Sequence, residues 1–128
     1  MTIAEVSRRY QLSPDTLRYY ERIGLIPAVG RTKSGIRDYS ESDCNWVEFI
    51  KCMRGAGLPI ESLVEYVALF VQGDKTIPAR KLLLIEQRQK LAQRISEMQG
   101  VLARLDTKIE GYDSHLLQAE RALVNQDN

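Results

Sequence analysis

A seven-residue apolar repeat in the C-terminal third constrains this chain more than any other feature. Leu84, Leu91, Met98, Leu105, Tyr112 and Ala119 form one series. Ile95, Leu102, Ile109, Leu116 and Leu123 form a second, offset by four, with Arg88 as its one charged member. Residues at these spacings share one stripe of an α-helix, and a stripe sustained over this many heptads is the pattern of a coiled coil. Gly100 and Gly111 fall outside both series, so the repeat predicts a helix weakened at two points but with an unbroken seam. Such a helix reaches roughly 60 Å, too long to pack against a small domain. Its seam is expected to be covered by another chain, which makes it an oligomerisation helix.

The preceding residues read as short helices with clear punctuation. Thr2–Glu5 has the T-x-x-E form of a capping box, with Ile3 and Val6 opening an apolar face. In "QLSPDTLRYYERIG", Ser13 is a good N-cap, Pro14 occupies the first helical position and Gly24 reads as the stop. Two short helices about a tight turn predict a helix-turn-helix, a pattern that generic helical hairpins share. Residues 25–39 carry Pro27, Gly30 and the Ser34-Gly35 pair, with Arg31, Lys33 and Arg37 around them. That composition predicts a two-stranded hairpin, a basic wing, with an irregular linker as the alternative. Ser40–Asp43 opens a further helix ending at Gly55 or Gly57, with Trp46, Phe49, Ile50 and Met53 as its apolar stripe. A fourth helix is expected after Pro59, burying Ile60, Leu63, Val64, Val67 and Leu69/Phe70, and "QGDKTIP" at 72–78 ends it.

Composition narrows the class. The 128 residues suit one modest domain, or a small domain plus an extension. At 44% hydrophobic and 27% charged residues, wholesale disorder is not expected. No apolar run approaches the roughly 18 residues that cross a bilayer, and "MTIAEVSRRY" lacks the layout of a signal peptide. The expected compartment is the cytoplasm, with no membrane partner, and two cysteines there suggest no disulfide framework. Net charge is +1, but residues 1–40 hold seven Lys/Arg against four acids, leaving +3 there and −2 elsewhere. A basic N-terminal third is compatible with a phosphate-facing surface and equally with an ordinary solvated face.

Enzyme readings lack parts. His115 is the only histidine and lies in the heptad region, and no P-loop, dinucleotide glycine fingerprint or G-x-S-x-G elbow is present. Cys44 and Cys52 are eight residues apart, roughly 12 Å along one helix, too far to share an ion. No metal site and no cofactor are therefore expected. What remains is "TLRYYE", residues 16–21, where Arg18, Tyr19 and Tyr20 crowd donors onto a short helix. Arginine binds phosphate or the guanine edge bidentately, and tyrosine hydroxyls reach phosphates. The competing reading places both tyrosines in the core.

The stretch from "TIAEVSRRY" through "TLRYYE", the Gly24-Leu25-Ile26-Pro27 step and the wing "GIRDY" (Gly35–Tyr39) resembles the N-terminal domain of MerR-family transcriptional regulators. With "GLPIESL" and the long helix, the resemblance covers nearly the whole chain, Pro59 being a departure where relatives more often carry a capping serine. It implies a mainly α fold: a winged helix-turn-helix DNA-binding domain, residues 1–71, a linker, 72–80, and a dimerisation helix, 81–124, forming an antiparallel coiled coil. It implies a homodimer on an inverted-repeat operator in double-stranded promoter DNA, activating RNA polymerase by distorting the promoter spacer. By this carry-over Ser13, Thr16, Arg18, Tyr19 and Tyr20 contact DNA from the helix, and Arg31, Lys33, Arg37 and Tyr39 do so from the wing.

The signal is expected at a thiol. The metal ligands of metal-sensing relatives and the C-terminal domain of drug-sensing ones have no counterpart here, and "FIKCMR" is similar to the sensing segment of the AdhR/NmlR-like branch, which responds to reactive aldehydes and other electrophiles. That resemblance assigns sensing to Cys52. From the residues alone a packing role stays open. At 100° per residue Cys52 points roughly 110° from the Trp46/Phe49/Ile50/Met53 stripe and Cys44 roughly 170°, which predicts an exposed Cys44 and a flanking Cys52. The alternatives are a MerR-type regulator with another signal, or none read by thiol, and a coiled-coil adaptor that binds no DNA.

Overall fold

Local signals place the first helices where the sequence predicts them. In the computed structural model, which describes residues 1–125, α1 spans Ile3–Tyr10 with the Thr2/Glu5 capping box formed in both directions. Gln11 turns the chain in the left-handed region (φ 56°). Ser13 then caps α2, Pro14–Arg22, accepting from the Thr16 N–H at 3.0 Å. Gly24 takes φ +82° just past α2, a conformation that costs a side chain but not glycine. Ser40 and Asp43 form a second complete capping box on α3, Glu41–Gly55. Pro59 opens α4, Ile60–Phe70, with no side-chain cap, as its missing hydroxyl requires. A 3₁₀ turn, Asp74–Thr76, leads into α5, Ile77–Glu110, so the stretch read as a linker (72–80) contains the start of α5.

The chain divides into two units, Met1–Leu84 and Ile85 onward. The first has one core. Val6 of α1, Leu17 and Tyr20 of α2, Leu25 and Val29 of the connection, Val47 and Ile50 of α3, and Leu63 and Val67 of α4 converge in it. Leu17, Leu25, Ile50 and Leu63 are wholly buried, each contributing about 1.5–3 kcal/mol by leaving water.

Two expectations about this core are corrected. The buried face of α3 is Asp43, Cys44, Val47 and Ile50; of the expected stripe only Ile50 is buried, while Trp46 and Met53 are half-buried against the edge of the core and Phe49 is exposed. On α4, Val64 and Phe70 are exposed where burial was expected. The reason is that α3 is apolar on two faces, and periodicity does not say which one meets the core. The outer face is an aromatic cluster: Trp46 meets Phe70 edge-on at 5.5 Å and Phe49 at 6.3 Å. Trp46, Phe49, Val67 and Phe70 line a 210 Å³ cleft there.

The wing is shorter than the predicted hairpin. One antiparallel bridge joins Arg31 to Arg37. The Thr32 N–H donates to Ile36 O at 2.8 Å, and Gly35 turns the chain at φ +84°. The arms are too short for a ladder, and among the described residues no longer strand forms.

In the second unit the seam is apolar and open. Leu91, Ile95, Met98, Leu102, Leu105 and Ile109 are all exposed. The unbroken helix expected through Gly111 is not found: α5 stops at Glu110, Tyr112–Leu116 form a π-helical turn, and α6 spans Leu117–Asn125. A π turn carries one residue more than an α turn and rotates everything after it by about 100°. Leu116, which ends the turn, and Leu117, which opens α6, are half-buried. Tyr112 donates to Glu120 at 3.0 Å across the turn, and that carboxylate raises the tyrosine's pKa.

Candidate nucleic-acid interface

The helix α2 divides cleanly by spacing. Leu17 and Tyr20 point into the core, while Asp15, Arg18, Tyr19 and Arg22 make one continuous exposed stripe. Arg18 pairs with Asp15 at 2.9 Å, an exposed i,i+3 bridge that leaves the guanidinium open to solvent. The Arg22 guanidinium lies 5.2 Å above the Tyr19 ring, a cation–π contact that keeps both on the same face. Arg22 was not singled out from the sequence, although its position three after Tyr19 and four after Arg18 would have found it. Ser13 and Thr16, 2.8 Å apart through their hydroxyls, sit together at the N-terminus of α2, where backbone N–H groups and helix dipole favour an anion.

The wing contributes fewer free charges than its composition suggests. Lys33 is exposed. Arg31 is also exposed and donates to Gly35 O at 2.9 Å, bracing the turn. Arg37 is turned toward α2, its Nε 2.7 Å from Glu21 Oε1, with both side chains largely buried. Glu21 Oε2 also accepts from the Val29 N–H at 3.0 Å. Burial works to raise the Glu21 pKa. The Arg37 and Val29 hydrogen bonds, with the charges of Arg37 and Arg31, outweigh it and hold the carboxyl below its ordinary value. Glu21 also escaped the sequence reading, because its partner lies sixteen residues away and only folding joins them.

Tyr20 and Tyr39, both expected among the DNA contacts, are buried. They are 6% and 2% exposed, and the Tyr39 hydroxyl is buried without a hydrogen-bond partner. Burial, chiefly, raises the Tyr39 pKa. Of the tyrosines in "TLRYYE", Tyr19 is the exposed one and Tyr20 the buried one.

Cys44, expected to be exposed, is buried, and Cys52, expected on the flank, is fully on the solvent side. Cys44 is 4% exposed, its Sγ 3.8 Å from Met1 Sδ, and Cys52 is exposed. At 100° per residue Cys52 points about 150° from the buried face of α3, so the core side of that helix lies behind it. Lys51 beside it is exposed, whereas Arg54 donates to Leu58 O at 2.8 Å and closes the helix end. Among the described residues, no three His, Cys, Asp or Glu come together as metal ligands.

Comparison with known proteins agrees with this arrangement. Residues 1–69 match the MerR HTH family regulatory protein family, and residues 45–108 match the family described as MerR, DNA binding. The HTH-type transcriptional regulator AdhR of Bacillus subtilis is 58% identical over 93 residues, covering 73% of this chain and 66% of AdhR, just under two thirds of that relative. A MerR-family regulator from Listeria monocytogenes superposes at TM-score 0.69 with 47% identity, over 99% of this chain and 96% of that one. HiNmlR, a MerR-family regulator lacking the sensor domain and bound to promoter DNA, superposes at 0.63 with 28% identity, over 88% and 89% of the two chains. These relatives are regulators of transcription and not enzymes. The chain belongs to the MerR family of helix-turn-helix transcriptional regulators.

Proposed function

We propose that this regulator is a homodimer that binds an inverted-repeat operator in promoter spacer DNA and activates RNA polymerase by distorting it when Cys52 reacts with an aldehyde or related electrophile. Residues 1–71 form the DNA-binding domain, 72–80 connect it and already open α5, and 81–124, from α5 through the π turn into α6, form the dimerisation segment, paired antiparallel with its twin. The open seam from Leu91 to Ile109 supports dimerisation, because that much apolar surface needs a covering chain. A two-fold dimer implies inverted half-sites, and phosphate contacts at both ends supply the energy that bends the duplex. The α2 stripe of Arg18, Tyr19 and Arg22, the Ser13/Thr16 cap and the wing's Arg31 and Lys33 are the contacting groups. HiNmlR on its promoter DNA supports that mode for a relative of this length. The protein works in the cytoplasm, alongside its promoter; among the described residues no helix is long and apolar enough to cross a membrane.

The observation that carries the sensing reading is the exposure split between the thiols. An electrophile from solvent meets Cys52 and not Cys44. The Cys52 thiolate sulfur bonds to the aldehyde carbon, and the carbonyl oxygen takes a proton from water, giving a hemithioacetal. The test is a promoter reporter challenged with formaldehyde or methylglyoxal. Cys52→Ser is expected to abolish induction and Cys44→Ser to preserve it. Full induction in Cys52→Ser ends the thiol reading, and loss confined to Cys44→Ser moves the sensor to Cys44. Arg18→Ala is expected to weaken operator binding about tenfold or more in gel shifts. A chain that binds no duplex at all is an adaptor.

A further inference from the structure

Glu21 is an acid on the helix that is to face DNA, a costly place for negative charge unless it does something else. Its carboxylate is shared between two elements. Oε1 accepts from Arg37 of the wing at 2.7 Å, and Oε2 accepts from the Val29 backbone at 3.0 Å, on the segment leading into the wing. The Glu21 and Arg37 side chains are 15% and 22% exposed, so water competes weakly with the pair. The wing itself is closed by the Arg31–Arg37 bridge and by Asp38 N–H donating to Gly30 O at 2.8 Å. The Glu21 carboxylate is thus the side-chain tie between the wing and α2; the far end of the wing is held separately, by Met1, whose amine donates to Asp38 Oδ1 at 3.0 Å and to Tyr39 O at 2.8 Å.

We infer that Glu21 is a positioning residue: it fixes the wing at a set distance from the DNA-facing stripe of α2 and neutralises Arg37, so that Arg37 acts through Glu21 and not as a phosphate contact. The inference rests on the DNA-binding reading above and deepens it. Bending a duplex stores elastic energy, and a protein applies that load only through contacts that do not yield. A wing free to swing would relax instead of bending the DNA. The sign of the effect separates this role from that of a surface charge. Removing an acid that merely lies near phosphates strengthens binding, whereas removing the tie weakens it.

The probe is the duplex that the wild-type protein enriches from a randomised 40-base-pair pool, with affinity measured across a salt series. Glu21→Gln keeps an acceptor for Val29 but gives up the charge on Arg37, and it is expected to weaken binding about tenfold. Arg37→Gln is expected to lose as much with an unchanged salt slope, while Lys33→Ala, at a phosphate contact, lowers the slope by about 1. The double variant Glu21→Gln/Arg37→Gln is expected to lose no more than either single one. Wild-type or tighter binding by Glu21→Gln, a reduced slope in Arg37→Gln, or multiplying losses in the double variant overturns the inference and leaves the DNA reading standing. Failure of the wild type to enrich any duplex overturns both. Should Glu21→Gln not fold by circular dichroism, Arg37→Lys, which keeps the charge without the Nε donor, carries the same expected loss and the same refutation.

Discussion

In the first unit Leu17, Ile50 and Leu63 are wholly buried, although the apolar spacing there is interrupted and partly misleading. In the second, Met98, Leu102 and Ile109 sit in a far more regular pattern and are all more than half exposed. Regularity therefore does not measure how well a segment satisfies itself. Irregular spacing across several short helices builds a core within one chain, because the helices meet at angles and bury different faces. A strict heptad repeat on one straight helix has only one face to offer, and another helix must cover it.

Substitutions that exploit this contrast test it, and the largest effect is expected where the core is closed. Leu17→Ala should destabilise the folded protein by about 3–4 kcal/mol in urea unfolding; a loss below about 1 kcal/mol would mean the α2 core collapses around the gap. Leu102→Glu should act on assembly instead. With a second copy over the seam, a buried charge there costs about 2–3 kcal/mol of dimer stability, read by sedimentation equilibrium. An unchanged mass would place the seam in solvent or against something else.

Smaller effects sharpen the contrast within the first unit. The Glu21 carboxyl is held below its ordinary 4.5, so the stability it adds is complete above that value and is lost as pH falls through its lowered one. Glu21→Gln should therefore cost about 1 kcal/mol at neutral pH and leave less acid-induced loss below about pH 4.5. Equal acid sensitivity in both proteins would assign the loss to other carboxyls. Tyr39→Phe removes a buried hydroxyl without a partner and should be neutral or stabilise by up to about 1 kcal/mol in thermal melts. If operator binding falls as well, the hydroxyl reaches the duplex in the bound state.

Much of this molecule was legible in advance. The capping boxes at Thr2–Glu5 and Ser40–Asp43, the Ser13-Pro14 start and the Gly24 stop are local, and each formed where its residues lie. The stripe of Arg18 and Tyr19 on α2 was also foreseeable, since helical spacing alone decides which residues share a face. Less was legible where a residue had two compatible environments. Cys44 is buried and not exposed as expected because α3 has two apolar faces, and only the arrival of α1 and α4 selects the inner one. Tyr20 and Tyr39 carry both a ring to bury and a hydroxyl to offer, and the core claimed the rings.

By itself the sequence determined the first four helices and their ends, the heptad seam and the family, because capping, turn and periodicity signals act over a few residues. It did not reveal the start of α5 at Ile77 or the π turn after Glu110. Tertiary structure alone decided which thiol meets solvent, that Arg37 pairs with Glu21, and that Tyr20 and Tyr39 lie inside. Those outcomes depend on which surfaces meet when elements distant in sequence pack together, and burial then sets what each polar group is free to do.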